Sequence, residues 1–439
     1  MDRLTNTVAI QSIWDLRSAR GSVVFWQDNF QRTSRKLHQL TPKLLYLAHR
    51  LPYPPNRGDR IRALHAIRFL ATRADVYLGS VADEPWGSSE IRALEKYCKQ
   101  VKVFRLPARG RWIRAGLGFL GQKSVTQGAF YSKELALQVR NWTQEPFDAA
   151  VVFCSSMGQY IDQFQKRPKK ILVDLVDVDS QKWIDYTQSS FGLKRWVFAE
   201  EARRVAQLEK QLYQAADAMS VVSQDEADIF RKIHPDLHCH AFGNGVDYDY
   251  FSPTSLAPES YATIRCGNPH MVFIGVLDYF PNVQGLEWFC RQIMPRILEQ
   301  FPQAKLDLVG RSPSKDVIDL SKLPGVRLIG EVPDVRPYIL AADFSIAPLQ
   351  IARGIQNKVL ESLSCGRPVI ATEYAATGIA KMPGLLVAES PECWTTQVHK
   401  LMDATELVRL GNQSRQMVIE NYSWESQLSG LLPILGLSK

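Results

Sequence analysis

The chain has 439 residues and a formal net charge of +8; 45% of its residues are hydrophobic and 22% charged. That length exceeds one ordinary core and suits two domains, and that balance excludes disordered and fibrous classes. No window holds the roughly 18 uninterrupted apolar residues of a membrane-spanning helix. The first forty or so residues lack the ordered regions of a secretory leader, so a cytoplasmic chain is expected. The seven cysteines are scattered singly, which suits a reducing compartment.

In chain order, residues 1–42 show weak periodicity and read as a poorly ordered extension. Lys43–Ala48 reads as a short apolar strand and His49–Asp59 as a Pro/Gly-rich loop. Residues 60–72 then carry Ile61, Leu64, Ile67, Phe69 and Leu70 at helical spacing. Strand, glycine loop and helix open a nucleotide-binding α/β sheet. Further strands are predicted over 74–79, 101–105, 147–153, 170–175 and 218–223, with helices over 88–99 and 195–216. Residues 242–247 form a tight turn and 252–269 read as a linker. A second series follows, with strands over 271–275, 305–310, 326–330, 344–348, 368–372 and 384–388, and helices over 282–300 and 404–421. The expected architecture is α/β: two doubly wound Rossmann-like domains, 43–255 and 256–415, facing a cleft. A tail, 416–439, is expected to pack back toward the first. Ligands in such sheets bind at the carboxyl ends of the strands.

The basic excess is uneven. Lys99, Lys102, Arg105, Arg109, Arg111, Arg114 and Lys123 lie in a stretch without an acidic residue, interleaved with Phe104, Trp112, Ile113, Leu117 and Phe119. Basic residues with apolar anchors suit a segment lying on an anionic bilayer as well as an ordinary solvated helix. No RNA- or DNA-binding pattern accompanies the charge, so nucleic acid is not an expected partner.

The most informative stretch is Arg353-Gly-Ile-Gln-Asn-Lys-Val-Leu-Glu-Ser-Leu-Ser-Cys-Gly-Arg-Pro-Val-Ile-Ala-Thr372. A Gly-containing turn opens a helix whose first turn holds Gln356, Asn357 and Lys358, and free N–H groups at a helix start suit a pyrophosphate. Glu361 lies three residues on, on the same face, where it can accept two sugar hydroxyls. The same spacing also fits a solvated Lys–Glu pair on an amphipathic helix. In the first half, Gly58 in Pro54-Pro-Asn-Arg-Gly-Asp-Arg60 allows close backbone approach to a phosphate or sugar, and Arg57, Arg60 and Arg62 are candidate partners for a diphosphate or an acceptor. His49 is a strand-end histidine, structural or acid–base. Asp177 and Asp179 form an Asp-x-Asp, read either as acceptor carboxylates or as strand-end caps. His234, His238, Cys239 and His240 lack the paired spacing of a zinc site.

The 353–372 stretch resembles the donor-site helix of GT-B glycosyltransferases of the large retaining family four. The glutamate of that family that binds the nucleotide ribose matches Glu361; an earlier one, which holds donor-sugar hydroxyls, falls at Arg353. Gly243-Asn-Gly-Val-Asp247 resembles the end of the family's first domain, and Phe273-Ile-Gly-Val-Leu-Asp-Tyr-Phe-Pro-Asn282 the opening of its second. Val276 stands where an arginine is common. His49–Asp59 is similar to the opening of a subgroup associated with exosortase and extracellular polysaccharide systems.

The resemblance implies transfer of a sugar, with retention, from a nucleotide-diphosphate sugar to a lipid- or glycan-linked acceptor in exopolysaccharide assembly, without a metal. It implies a donor site of Gly58, Gly275, Asp278, Asn282, Arg311, Arg353, Gln356, Asn357, Lys358 and Glu361. Lys358 and Arg311 would serve the diphosphate and Asp177 the reaction centre. The acceptor would meet Arg57, Arg60, Asp179, Arg111 and Trp112, on a protein peripheral to the inner face of the plasma membrane. A nucleotide-sugar 2-epimerase and a non-catalytic glycan- or lipid-binding relative share the fold and are the competing readings.

Overall fold

The computed structural model describes residues 41–106, 110, 123–188, 190–352 and 355–437. The expectations for Arg111, Trp112, Arg353 and residues 1–40 lie outside them.

Short apolar stretches separated by amphipathic ones produce two parallel sheets, as buried strands without polar alternation require. The first has seven strands: β1 (Lys43–Ala48), β2 (Asp75–Ala82), β3 (Cys98–Arg105), β4 (Ala149–Phe153), β5 (Lys170–Val176), β6 (Ala218–Val221) and β7 (His240–Ala241), in the order β3-β2-β1-β4-β5-β6-β7. Leu44–Ala48 and Ala149–Phe153 are buried almost completely, at the centre of the sheet. Helix α1 (Gly58–Ala71) follows β1. Helices α2 (Asp179–Gln188) and α3 (Gly192–Ala215) follow β5.

The second sheet has six: β8 (His270–Ile274), β9 (Lys305–Val309), β10 (Val326–Gly330), β11 (Phe344–Ala347), β12 (Val369–Ala371) and β13 (Leu385–Val387), in the order β10-β9-β8-β11-β12-β13. Helix α4 (Phe280–Trp288) continues through a π turn at Phe289–Ile293 into Met294–Gln300. Pro295, which has no N–H to donate, stands where the α pattern resumes. Helix α5 (Asn357–Ser364) precedes β12, and α6 (Ala404–Tyr422) packs on α5. Gly411 makes that packing close, since a Cβ there would lie 2.1 Å from the Gly366 carbonyl oxygen.

Both sheets therefore place a central strand (β1 or β8) between a leftward and a rightward series, the Rossmann-like order with its switch point beside that strand. Residues through Asp174, Tyr186–Ala218 and the chain from Leu432 form one compact unit; Leu175–Asp185 and Met219–Leu431 form the other. The first sheet ends at Ala241 and the second begins at His270, on either side of the boundary expected near residue 255, while packing groups Met219–Leu431 together. That unit includes 416–431 of the expected tail, and the chain rejoins the first unit only from Leu432.

The basic stretch from Lys99 divides. Lys99, Lys102 and Arg105 belong to β3, an edge strand, where charged side chains discourage pairing with another sheet. The interfacial segment expected over the whole stretch therefore does not include them.

Candidate active site

Strands β8 and β11 pair at only two positions, Met271 with Phe344 and Val272 with Ser345. Beyond those lies a narrow crevice, too tight to admit water, lined by Ile274, Ser345, Ala347, Lys358, Val359 and Ser362. The Ser345 and Ser362 hydroxyls are buried there without a hydrogen-bond partner among the described residues, a cost of about 1–3 kcal/mol each.

Lys358, in the first turn of α5, extends over this crevice. Its Nζ donates to Asn282 Oδ1 at 2.8 Å and lies 4.4 Å from the centroid of the buried Phe273 ring. Asn282 is buried in the first turn of α4, and its Nδ2 donates to the Val276 carbonyl oxygen at 2.8 Å, so the amide presents its oxygen to the lysine. Gly275 makes the cluster fit. A Cβ at that position would lie 2.9 Å from Asn282 Nδ2, 3.0 Å from Lys358 Nζ and 3.1 Å from the Phe273 ring. Burial pushes the Lys358 ammonium down to about 7 against the pull of Glu361. Burial likewise pushes the Glu361 carboxyl up to about 7 against the pull of Lys358. Among the described residues no group donates a hydrogen bond to Glu361. A half-buried cation and a carboxylate without donors, one helical turn apart, are groups that a phosphate and a pair of hydroxyls would complete.

The neighbouring loops interlock. Gly310, at φ +153°, brings its Cα so close to the Gly275 carbonyl oxygen that a Cβ would lie 1.7 Å from it. Leu277 N–H donates to the Arg311 carbonyl oxygen at 2.9 Å. The exposed residues Arg311 and Asp278 thus sit on two joined loops at the carboxyl ends of β9 and β8. Gln356 is the N-cap of α5 and Asn357 its exposed first residue. The structure thus groups Gly275, Asn282, Lys358 and Glu361, with Asp278, Arg311, Gln356 and Asn357 on adjoining backbone.

In the first unit the candidate cations have other work. Arg62 is buried and holds Asp174 through Nε at 2.9 Å and Nη2 at 3.3 Å, and Arg60 is buried with Nη2 on Glu84 at 2.6 Å. Neither presents a free guanidinium, which corrects the expectation that they meet a diphosphate or an acceptor: helical periodicity does not distinguish a solvated arginine from one paired across the fold. Arg57 is the half-exposed N-cap of α1, with Nε 3.6 Å from Asp59. A Cβ on Gly58 would meet nothing within 4 Å, so open space adjoins the start of α1. In the Leu175–Asp185 segment, which belongs to the second unit, Asp177 is exposed after β5 and Asp179 opens α2 with Lys182 at 3.5 Å. His49 follows β1 with Nε2 3.3 Å from Asp59 and 4.0 Å from Cys154 Sγ. Burial opposes ionisation of Asp59, yet hydrogen bonds from His49 and Arg50 outweigh it and hold that carboxyl well below the usual range. The pairing of His49 with Asp59 and Cys154 left no signal in the sequence beyond a conspicuous strand-end histidine.

Among the described residues, Cys266, His270 and Asp307 have potential metal-ligand atoms within 4.8 Å of one another. They lie at the amino-terminal ends of β8 and β9, opposite Lys358. Asp307 is already engaged there, by Arg327 at 2.6 and 2.7 Å and by His270 at 3.0 Å. A cation would have to displace or sit beside that guanidinium, so the group reads as a structural ion-pair network.

The fold is that of GT-B glycosyltransferases, and residues 268–404, which contain the whole Lys358 cluster, match the family Glycosyl transferases group 1. The chain is 22% identical over 360 residues to an uncharacterized 44.6 kDa protein in the cps region of Klebsiella pneumoniae, covering 76% of this chain and 84% of that protein. Among solved structures it is similar to Anabaena HepE in complex with UDP and glucose (15% identity, 90% of this chain and 99% of that one, TM-score 0.60). It is also similar to sucrose-phosphate synthase from Thermosynechococcus elongatus (16%, 89% and 97%, TM-score 0.58) and to WaaG, a glycosyltransferase involved in lipopolysaccharide biosynthesis (16%, 90% and 100%, TM-score 0.56).

Proposed function

We propose that this protein transfers a sugar, with retention, from a nucleotide-diphosphate sugar to a lipid- or glycan-linked acceptor during exopolysaccharide assembly. The observation that carries the reading is the Lys358–Asn282–Gly275 cluster with Glu361 one turn on, at the switch point of the sheet matched by the glycosyltransferase family. The complex of HepE with UDP and glucose and the cps region of the Klebsiella relative support the donor class and the setting.

In the mechanism we infer, Glu361 accepts from the ribose hydroxyls, and Lys358 with the start of α5 holds the phosphates. Arg311 adds charge from the adjoining loop. As the glycosidic bond breaks, negative charge grows on the departing diphosphate, and fixed cations stabilise it more in the transition state than in the ground state. On this reading the leaving group needs no metal, and a chelator leaves turnover unchanged.

The test is to incubate the protein with a panel of nucleotide sugars, with and without membrane lipid extract, and to identify products by mass spectrometry. Acceptor-dependent sugar transfer is expected. Conversion of the donor sugar without any acceptor would instead identify an epimerase, and binding without turnover a glycan-binding relative.

A further inference from the structure

We propose that Cys154 is a reactive thiol, activated by His49 and Asp59 and open to reversible oxidation by a hydroperoxide. The site lies wholly in the first unit and is independent of the donor site.

The order of the first sheet brings the groups together. Ala48 of β1 pairs with Phe153 of β4, so the next residue of each strand, His49 and Cys154, leaves the carboxyl end of the sheet beside the other. Cys154 Sγ lies 4.0 Å from His49 Nε2. The His49 ring is buried and fixed between Phe130, edge-on at 5.4 Å, and Phe153, stacked at 5.8 Å. Asp59 Oδ2 lies 3.3 Å from the same Nε2. Arg50 Nη1 lies 2.9 Å from that nitrogen and donates to the same carboxylate oxygen at 2.7 Å. A nucleophile, a base beside it and a carboxylate that holds the base are the parts of an activated thiol. Reactive cysteines sit in such electropositive, partly exposed surroundings, and Cys154 is half-buried.

Two further observations single out this residue. Its backbone stands at φ +75° and ψ 150°, a left-handed conformation that favours glycine. Such strain persists where the surroundings over-determine it, and the Cys154 N–H is tied to the Asp174 carbonyl oxygen at 2.8 Å. The Tyr46 hydroxyl, wholly buried on β1 and within electrostatic reach of Cys154, has no hydrogen-bond partner among the described residues. An oxygen on the Cys154 sulfur would bring an acceptor near a donor that lacks one. The other cysteines differ. Burial pushes the thiols of Cys98, Cys290 and Cys365 up to about 12 and raises that of half-buried Cys266. Cys239 is buried, and Cys393 is exposed.

In the step, the Cys154 thiol proton passes to His49 Nε2 and the thiolate attacks one peroxide oxygen. A sulfur–oxygen bond forms as the oxygen–oxygen bond breaks, and the departing hydroxide takes the proton from the imidazolium and leaves as water. Sulfur is oxidised by two electrons to a sulfenic acid while the peroxide is reduced. A low-molecular-weight thiol then displaces water to give a mixed disulfide, and a second equivalent of that thiol restores the cysteine.

The experiment is alkylation of the full chain by iodoacetamide near neutral pH, followed peptide by peptide by mass spectrometry. Cys154 is expected to react about tenfold or more faster than exposed Cys393 in the same sample. His49→Gln and Asp59→Asn should each slow Cys154 by about tenfold and leave Cys393 unchanged. Hydrogen peroxide followed by dimedone should tag Cys154, and dithiothreitol added between the two should prevent the tag. Equal rates at Cys154 and Cys393 in the unmodified chain overturn the proposal. So does a Cys154 rate that both variants leave unchanged, or a dimedone tag on Cys393 in place of Cys154. Labelling of buried Cys98 would report an unfolded variant, and the comparison within the unmodified chain then decides.

Discussion

At the scale of single residues, the proposed function gives Lys358 and Glu361 the donor contacts, and their burial then sets how binding depends on pH. Removing either should weaken UDP binding about 10–100-fold, the range expected for a charge-assisted hydrogen bond. Titration calorimetry on Lys358→Met and Glu361→Gln checks this. The phosphates favour the ammonium, so binding raises the Lys358 pKa from about 7 and takes up a proton; affinity then falls as pH rises above 7. Ribose hydroxyls favour the carboxylate, so binding lowers the Glu361 pKa from about 7, and affinity falls as pH drops below 7. A bell centred near neutrality is expected, with Lys358→Met flattening its alkaline limb and Glu361→Gln its acid limb. In the free protein the signs differ. The depressed Lys358 pKa makes its contribution to stability rise from pH 7 toward 10.5, and the raised Glu361 pKa makes its contribution fall from 4.5 to 7. Free-protein stability from this pair is therefore lowest near pH 7, and Lys358→Met should raise the melting temperature there. These residue types and their spacing were legible in the sequence. Their perturbed ionisation was not, because it comes from Phe273 and the crevice wall.

At the scale of elements, close backbone approach holds the cluster together. Gly310→Ala would drive a Cβ into the Gly275 carbonyl oxygen and force an alanine to φ +153°, so unfolding in urea should show a loss of about 2–4 kcal/mol. Gly275→Ala meets side-chain ends instead, which can shift. It should cost little stability and about tenfold in UDP affinity, by displacing Lys358 from Asn282. Arg415 on α6 donates to the backbone carbonyls of Tyr248, Phe251 and Ser364, tying the 248–252 loop to the end of α5. Element types were legible from short apolar runs and helical spacing, which is why the strands of both sheets were anticipated within a few residues. The α2 helix and the two-residue β7 were not: the first carries a polar, weakly periodic stretch and the second is too short for a pattern.

At the scale of the whole molecule, the chain forms two compact units. If the nucleotide binds only the second, saturating UDP at about 100 times its dissociation constant should stabilise that unit by about 2.7 kcal/mol. Calorimetry should then show one thermal transition moving and the other staying; equal shifts in both would count against a site confined to Met219–Leu431. The sequence by itself determined that there are two parallel-sheet units, and which helix opens with Gln356, Asn357 and Lys358, because periodicity and turn chemistry are local properties. Only the tertiary structure decided that Arg60 and Arg62 are spent on Glu84 and Asp174, that Asn282 holds Lys358, and that Cys154 meets His49. Each of these depends on groups distant in the chain meeting across a packed core, where burial and pairing decide what a side chain is free to do.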